Sequence, residues 1–411
     1  MKILVLAPHA YYVDRGTPID LDILLRALSN QRDEQGNPHD IHAAVYHEGE
    51  GRDYPNVTIH RIDAPPSLNN IGPGFSGKKL KADRLLFKLA KRLVRDVKPD
   101  AIHAGEEAVF FARYFKLRYG IPYVYDMDSS IAQQMVEKKP RLKIVAPLFN
   151  AAERHVVRHA LACAPVCHAL ADLAKKHGAK HLETLHDISQ LADPDRPRKG
   201  WLHEKLGISP GRPILMYVGN FEAYQGVDLL LQGFAHAVRH HDANVELAIA
   251  GGTDAAIAEH TNKANRLNIA DRAHFLGRWP ADQLDELLAE ADILTAPRIK
   301  GVNTPQKIFP YLHSGRAVLL TDLPTHTQIV DDTVCALANP DPEAFGDAIA
   351  RLAADSGKRE SLGVAGRAFV EADHTFPAHQ RRVDALYAYV AKQLHLPKPR
   401  SPRIESVGVA A

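Results

Sequence analysis

Cysteine is scarce in this sequence, which contains Cys163, Cys167 and Cys335 and no others. Three thiols cannot form a disulfide framework, and no matching ligand set accompanies Cys163 and Cys167, so free thiols in a reducing compartment are favoured over a zinc site. Long apolar runs are missing too. No stretch reaches membrane-spanning length, and the apolar start MKILVLAPHAYY is too short for a signal peptide. These absences predict a cytoplasmic protein.

A strong net charge and a dinucleotide motif are also missing. The formal net charge is +2, so no global field indicates binding to nucleic acid. The pattern G-x-G-x-x-G does not occur, which argues against a nicotinamide-binding fold. What is present is 45% hydrophobic and 24% charged residues, typical of a globular protein, in a chain of 411 residues. That length favours two domains, with three as the alternative.

The first half alternates buried strands with loops and helical patterns. Residues 2–7 predict a strand, 8–17 a turn-rich loop, and the run from Pro18 a helix, which is the doubly wound signature. Further strands are predicted at 41–46, 57–62, 101–104, 122–125, 166–169 and 182–185, and helices at 80–98 and 148–162.

Two carboxylates follow the predicted strand 122–125. Asp126 and Asp128 lie at the carboxyl end of that strand, the edge where open parallel sheets bind ligands. Asp128 or Ser129 can equally cap a helix that begins near Ile131. Capping and ligand binding are compatible, so both interpretations stay open.

The predicted helix that ends near Lys98 has one apolar and one basic face. The basic face carries Lys81, Arg84, Lys88, Lys91, Arg95 and Lys98. Lys78 and Lys79 extend it, and Lys138, Lys139, Arg141 and Lys143 form a second basic cluster. The face is either simply solvated or contacts anionic lipid head groups or an anionic acceptor.

The second half restarts the pattern after a proline-rich, charged segment at 189–212, predicted to be a linker. Strands are predicted at 214–218, 245–250, 273–276, 291–296 and 316–321. We therefore expect a doubly wound domain at 1–188 and another at 213–376, facing a ligand cleft between them. A final helix at 377–396 crosses back to the first domain, and residues 397–411 form a disordered tail.

The segment from Pro297 to Gly315 reads as a loop and a helix between two strands. Thr304 is a candidate N-cap, Pro305 the first helical residue, and Gly315 the stop. Bare N–H groups and the ammonium of Lys307 at such a start suit a phosphate. The alternative is an ordinary crossover in which Lys307 is a solvated charge.

Several motifs of the second half together resemble a known family. These are YVGNFEAYQGVDLLLQGFA, LAIAGG, HFLGRWPADQLDELLAEADILTAPR, NTPQKIFPYLHSGRAVLLTD and FPAHQRRVDALYAYV. In order and spacing they resemble the donor domain of GT-B fold retaining glycosyltransferases, the large nucleotide-sugar-dependent group 1 or family 4, in an NTPxKI form. The first half resembles the acceptor domain more loosely, through LAPHAYYVDRGTPIDLDILLRALS, PDAIHA and IPYVYDMDSS.

The resemblance implies roles for particular residues. Lys307 would carry the charge of the departing diphosphate, and Asp128 would orient the acceptor or the sugar. The implied donor-binding residues are Gly219, Asn220, Gln225, Gly226, Gly251, Gly252, Arg278, Arg298, Asn303, Thr304 and Pro305. The implied acceptor-side residues are His9, Gly16, Thr17 and Asp126.

The sequence departs from the family at five positions. The family usually carries Arg or Lys at Asn220, Lys at Gln225, two glutamates at Val302 and Pro310, and often a histidine at Asp128. The usual contacts to the diphosphate, the sugar and the ribose are therefore changed. Arg298, Lys300 or Arg278 could assist Lys307, and Asn303, Thr304 and the loop N–H groups could replace the missing hydrogen-bonding groups.

The implied function is retaining, metal-independent and cofactor-free transfer of a sugar from a nucleoside-diphosphate sugar. The acceptor would be a glycan or a lipid-linked molecule in cell-surface polysaccharide or glycolipid synthesis. The enzyme would be cytoplasmic and peripheral at the inner face of the membrane. One alternative is a non-catalytic GT-B-like protein that binds a nucleotide or glycan as a partner. Others are a non-hydrolysing epimerase and a phosphorylase, although no lysine is evidently placed for a pyridoxal cofactor.

Overall fold

The computed structural model describes residues 1–11, 16–33, 35–50, 52–72, 76–131 and 146–396. The chain divides into two compact units. The first contains residues 1–187 and the described residues from Phe376 onwards, and the second contains residues 188–375. The predicted tail at 397–411 and the second basic cluster at 138–143 lie outside the described residues.

The first unit is built on a parallel sheet. Its strands are β1 Lys2–Leu6, β2 Asp40–Val45, β3 Val57–Arg61, β4 Ala101–Gly105, β5 Tyr123–Met127 and β6 Ala162–Pro165. They lie in the order β3-β2-β1-β4-β5-β6. In β1, Leu4 pairs with His42 on one side and Ile102 on the other, so this strand is covered on both edges. Such burial explains its continuous apolar sequence.

Helices connect these strands. They are α1 Gly16–Asn30, α2 Gly77–Val97, α3 Val109–Tyr119, α4 Ala146–His159 and α5 His168–Lys176. Helix α2 begins where the Ser76 hydroxyl accepts a hydrogen bond from the Lys79 N–H at 3.1 Å, and it ends at Lys98 in the left-handed conformation. Its apolar stripe is buried, and the six residues of the basic face are exposed.

Two predictions in the first unit were wrong. The strand expected at 166–169 lies earlier, at Ala162–Pro165, and helix α5 already begins at His168. The stretch at 182–185 forms only a bridge between Leu182 and Cys163. Short apolar runs cannot be assigned to a strand or a helix end by periodicity alone, which accounts for the shift.

The second unit repeats the architecture. Its strands are β7 Ile214–Val218, β8 Glu246–Ala250, β9 Ala273–Gly277, β10 Ile293–Ala296, β11 Ala317–Thr321 and β12 Ala336–Ala338. They are parallel, in the order β12-β11-β10-β7-β8-β9. Counted from the first strand of each unit, the two sheets have the same order, which is that of doubly wound dinucleotide-type folds.

The helices of the second unit include several that the sequence did not predict. They are α6 Trp201–Leu206, α7 Val227–His241, α8 Asp254–Arg266, α9 Leu284–Ala289, α10 Ile308–His313, α11 Pro324–Thr327, α12 Pro342–Ala354 and α13 Ser356–Asp373. Helix α6 lies inside the segment predicted as a linker. The Glu290 carboxylate accepts hydrogen bonds there from the N–H groups of Lys199, Gly200 and Leu202, at 2.8, 3.1 and 3.4 Å. These bonds and the buried Leu202 attach the segment to the second unit.

The last helix, α14 Phe376–Gln393, packs in the first unit. Val383, Leu386 and Val390 share an apolar core with Ile3 and Val5 of β1. The Gln380 amide also donates to the Ala27 carbonyl at 3.0 Å. The predicted crossing of the last helix to the first domain is confirmed, as is the fold of two doubly wound domains. In the described ranges, no helix is long and apolar enough to cross a membrane.

Candidate active site

Lys307 occupies the N-cap of α10 in the second unit. Its ammonium donates a hydrogen bond to the Tyr217 hydroxyl at 3.1 Å and lies 4.2 Å from the centre of the Tyr217 ring. Tyr217 is in β7, and its hydroxyl donates to the Asn220 carbonyl at 2.6 Å. The Tyr217 hydroxyl oxygen accepts the hydrogen bond from Lys307, and the backbone that follows β7 holds this oxygen in place.

The charge of Lys307 is poorly compensated. Burial, and secondarily the Arg298 guanidinium, lower the pKa of Lys307 to about 7. No carboxylate of the described residues contributes to that pKa or forms an ion pair with the ammonium. An anion placed beside Lys307 would favour the charged form and raise its pKa again.

Two glycines allow close packing of backbone beside this ammonium. Gly219 has a φ of +154°, and a Cβ at that position would lie 2.3 Å from the Lys307 Nζ. Gly251 has a φ of +113°, and a Cβ there would lie 2.0 Å from the Gly219 carbonyl oxygen. Both follow strands, β7 and β8, so the carboxyl edge of the second sheet presents bare backbone next to a cation. We call Tyr217, Gly219, Gly251 and Lys307 the Lys307 cluster.

The loop before α10 differs from its prediction. Thr304 does not cap the helix, because the Ile308 N–H donates to the Pro305 carbonyl at 3.1 Å and the chain makes a tight turn before α10 begins. The Thr304 hydroxyl is buried without a hydrogen bond to any described residue. Arg298 braces this loop, since its guanidinium donates to the carbonyls of Lys300 and Asn303 at 2.8 and 3.1 Å.

The remaining predicted donor-binding residues differ in how closely they are packed and in how exposed they are. Gly226 and Gly252 are closely packed, against the Pro297 carbonyl and the Phe221 ring respectively. Gln225 is buried in a short turn, whereas Asn220 is exposed and accepts a hydrogen bond from the Glu222 N–H at 3.2 Å. Arg278 is exposed after β9, and among the described residues no hydrogen bond or ion pair joins it to the Lys307 cluster. Of the predicted set, the structure thus brings Gly219, Gly251 and Lys307 together.

The first unit has a contrasting site at the carboxyl end of β5. A cavity of about 20 Å³ is lined there by Asp20, Asp126, Asp128, Asp187, His186 and His379, among others. This volume suits one water-sized group. We call this site the acidic pocket. Asp126 and Asp128 belong to its lining, whereas the predicted residues His9, Gly16 and Thr17 do not.

Like charges crowd the acidic pocket. Burial, followed by the charges of Asp126, Glu106 and Asp187, raises the pKa of Asp128 well above its usual range. Burial and the charges of Asp187 and Asp128 do the same to the pKa of Asp20. Burial lowers the pKa of His379 to about 4, so this imidazole is neutral at physiological pH.

Two buried side chains, His103 and Tyr387, lie behind Asp126. The His103 Nε2 lies 3.1 Å from the Asp126 carboxylate, and the His103 Nδ1 lies 2.9 Å from the Tyr387 hydroxyl on α14. The Tyr387 hydroxyl can donate to the His103 Nδ1, whereas the His103 Nε2 approaches Asp126 without forming a hydrogen bond. Helix α14 thereby holds a histidine beside the carboxylate at the end of β5.

Comparisons with known proteins show the family of this chain. Residues 24–186 match the family model for a glycosyl transferase 4-like domain, and residues 212–355 match the model for glycosyl transferases group 1. The two ranges together cover more than half of the chain. The chain belongs to the group 1 glycosyl transferases.

Curated relatives of this glycosyltransferase carry transferase names. The alpha-D-kanosaminyltransferase of Streptomyces kanamyceticus is 24% identical over 70% of this chain and 77% of that protein. The D-inositol 3-phosphate glycosyltransferase of Corynebacterium diphtheriae is 27% identical, but the match spans 45% of this chain and 44% of the relative. The chain therefore covers less than half the length of that second relative.

Solved glycosyltransferase structures share the fold. Sucrose-phosphate synthase from Thermosynechococcus elongatus superposes with a TM-score of 0.77 at 16% identity, over 95% of this chain and 99% of that one. HepE of Anabaena, in complex with UDP and glucose, superposes with a TM-score of 0.67 at 15% identity, over 96% and 99%. At these identities the likeness establishes the GT-B fold of the glycosyltransferase.

Two residues at these sites of the glycosyltransferase, Tyr217 and Glu106, were not predicted from the sequence. Tyr217 lies near the end of β7, two residues before Gly219, and this closeness in sequence to the glycine that follows the strand was the available signal. Glu106 follows β4, at the same sheet edge as Asp126, and its carboxylate accepts a hydrogen bond from the Ser129 hydroxyl at 3.2 Å. Burial and the Glu107 charge raise the pKa of Glu106 to about 7. Glu106 was not among the site residues predicted from the sequence.

Proposed function

We propose that this glycosyltransferase moves a sugar from a nucleoside-diphosphate sugar to a glycan or lipid-linked acceptor, with retention of configuration and without a metal ion. The observation that carries the proposal is the Lys307 ammonium, which is partly buried, lacks a carboxylate partner among the described residues and lies beside the backbone of Gly219. HepE complexes with UDP and with UDP-glucose support a nucleotide sugar as the donor.

Lys307 would act on the leaving group. When the bond between the sugar and the diphosphate breaks, negative charge develops on the phosphate oxygens, and a preorganised ammonium stabilises it more strongly than water does. The diphosphate would raise the pKa of Lys307 from about 7, so donor binding would take up a proton.

The chemical step needs no carboxylate base at the donor. As the family resemblance implies, the acceptor oxygen bonds to the sugar on the face that the diphosphate leaves, and the acceptor proton passes to the departing phosphate oxygen. Val302 and Pro310, which stand where the family usually has glutamates, carry no acidic group. Lys307 would supply the positive charge that a metal ion would otherwise provide.

The acceptor would be oriented in the first unit. Asp126 and Asp128 end in the acidic pocket, where a carboxylate can accept a hydrogen bond from a hydroxyl. The exposed basic face of α2 would dock on an anionic membrane, which suits a lipid-linked acceptor. Lys79 does not belong to that face, because it forms an ion pair with Glu107 and donates to the Pro8 carbonyl at 2.7 Å.

A donor screen tests the proposal. Nucleotide sugars are incubated with the wild type, Lys307→Met and the control Lys358→Met, and hydrolysis or transfer is followed by mass spectrometry. Lys358 is an exposed lysine of the same unit, so its loss should have no effect. We expect Lys307→Met to slow hydrolysis and transfer at low donor concentration by about 10- to 100-fold, which corresponds to the loss of a hydrogen bond to a charged group.

The pH dependence gives a second readout. Above pH 7 the phosphates of UDP are fully ionised, since their last pKa is about 6. The affinity of the wild type for UDP should fall as the pH rises above about 7, because free Lys307 loses its proton there. Calorimetry should find no such fall in Lys307→Met. Equal UDP affinity in both proteins at pH 7 would remove Lys307 from the mechanism.

A further inference from the structure

Three potential metal ligands converge on the second unit, away from the Lys307 cluster in sequence. They are His236 and His241 of α7 and Asp347 of α12. The Nε2 atoms of His236 and His241 lie 3.1 and 2.7 Å from the same oxygen of Asp347. All three ligand atoms lie within 4.8 Å of one another. Neither the family resemblance nor the proposed transfer reaction uses these side chains.

A close helix contact brings the three together. Gly233 of α7 and Gly346 of α12 touch through their backbones, since a Cβ on Gly346 would lie 2.6 Å from the Gly233 carbonyl oxygen. The same Cβ would lie 2.8 Å from the Cβ of His236, so this histidine stands directly beside the crossing. His240 stacks on the His236 ring, with centroids 4.5 Å apart, and helps to orient it. The ligand set is therefore held by a rigid helix pair.

The geometry and chemistry fit a borderline divalent metal. Zinc binds imidazole nitrogen and carboxylate oxygen at about 2.0–2.2 Å, in a tetrahedral arrangement whose fourth position can hold water. Ligand atoms around such an ion lie slightly more than about 3 Å apart by that geometry, close to the two histidine-to-aspartate separations of 3.1 and 2.7 Å. Both imidazoles direct their Nε2 atoms at one oxygen of Asp347. A metal ion bound among these three atoms would replace the protons of the two histidine–aspartate hydrogen bonds. Magnesium and calcium prefer sets made of oxygen alone.

We propose that His236, His241 and Asp347 bind one zinc ion, with water in the fourth position, and that this ion ties α7 to α12. Each Nε2 and one Asp347 oxygen coordinate the metal. The ion adds a cross-link on the outer side of two helices that already pack tightly. This proposal is independent of the donor and acceptor chemistry, and it departs from the expectation of no metal that the scarcity of cysteine suggested.

Zinc titration of matched variants tests the proposal. Metal-free protein without an affinity tag is titrated with zinc by calorimetry, and its thermal unfolding is recorded with and without zinc. The variants are His241→Ala and Asp347→Asn. The control is Glu343→Gln, which removes an exposed carboxylate of α12 outside the ligand set.

We expect one zinc ion per wild-type chain at this site, and a rise in Tm on addition of zinc. Both ligand variants should weaken that binding by about 10-fold or more and lose the rise in Tm, while Glu343→Gln keeps both. Magnesium should give no rise in any protein. The proposal is overturned if the wild type binds no zinc, or if His241→Ala and Asp347→Asn bind it as the wild type does. The variants measured without zinc show whether each still folds.

Discussion

The two units have the same sheet order but opposite charges at the carboxyl edge of the sheet. In the first unit, Asp126 and Asp128 follow β5 and meet Asp20 and Asp187 in the acidic pocket. In the second, Lys307 lies beside the glycine backbone that follows β7 and β8. The edge in the first unit brings several carboxyl groups close together. The edge in the second unit holds an ammonium that has no carboxylate partner among the described residues.

This difference shows that the architecture and the ligand preference come from different residues. The apolar strands decide the sheet, and the few residues after each strand decide what the sheet edge can bind. Both edges carry a cost in electrostatic free energy, because the charged forms of crowded carboxylates and of an uncompensated ammonium are disfavoured. Such costs are typical of sites whose charges act on a substrate.

The largest expected effect concerns the glycine backbone of the second unit. In Gly251→Ala the new Cβ meets the Gly219 carbonyl oxygen, and the backbone is held at a positive φ, so we expect a loss of more than about 3 kcal/mol of unfolding free energy. Gly277→Ala is the control, since Gly277 has a φ of +74° but open space around it. It should lose only about 1 kcal/mol.

Tryptophan fluorescence in urea measures this difference in one unit. The two tryptophans of the chain, Trp201 and Trp279, stack on each other in the second unit, with ring centroids 5.4 Å apart. Their signal therefore reports on that unit alone. Equal losses in Gly251→Ala and Gly277→Ala would show that the close packing beside Lys307 is unimportant for folding.

An intermediate effect is expected in the acidic pocket. The folded-state pKa of Asp128 is raised, so the folded protein binds more protons than the unfolded chain between pH 4 and that pKa. The unfolding free energy of the first unit should therefore fall as the pH rises from about 4 to neutral. Asp128→Asn should flatten this dependence and add on the order of 1 kcal/mol at neutral pH, while transfer to the acceptor decreases.

Hydrogen exchange of β5 amides checks the stability of the first unit. The tryptophan signal of the second unit is an internal control and should keep its urea midpoint in Asp128→Asn. A variant that is less stable than the wild type at neutral pH would contradict the interpretation of Asp128 as a charge that burial disfavours.

The smallest expected effect concerns the basic face of α2. Lys88→Gln should weaken binding to anionic liposomes by about 1 kcal/mol, roughly fivefold, at low salt. At physiological ionic strength the effect should shrink, because the charges are screened. Lys175→Gln, an exposed lysine on α5 of the same unit, is the control. Co-sedimentation measures both, and a wild type that stays in the supernatant at low salt would refute membrane docking.

Much of the fold could be predicted from the sequence. Largely buried strands such as β1 and β7 are mostly apolar runs, and turn-forming residues that follow them, Pro8 and Gly219, mark the strand ends. The start of α10 was wrong by several residues, since the turn at Pro305 depends on backbone hydrogen bonds that no residue pattern specifies. The sequence motif that contains Arg278 likewise could not predict that this residue lies outside the Lys307 cluster.

Local hydrophobic runs and turn residues specify strands and their ends, so the two parallel sheets and the place of Lys307 in a loop before a helix follow from the residues alone. Which side chains meet depends on the three-dimensional packing. Lys307 contacts Tyr217, which is 90 residues away in the chain. Asp20 and Asp187 line the same cavity, although they lie near opposite ends of the segment 1–187. Such contacts follow from strand order and helix packing, which join distant segments without leaving a local pattern.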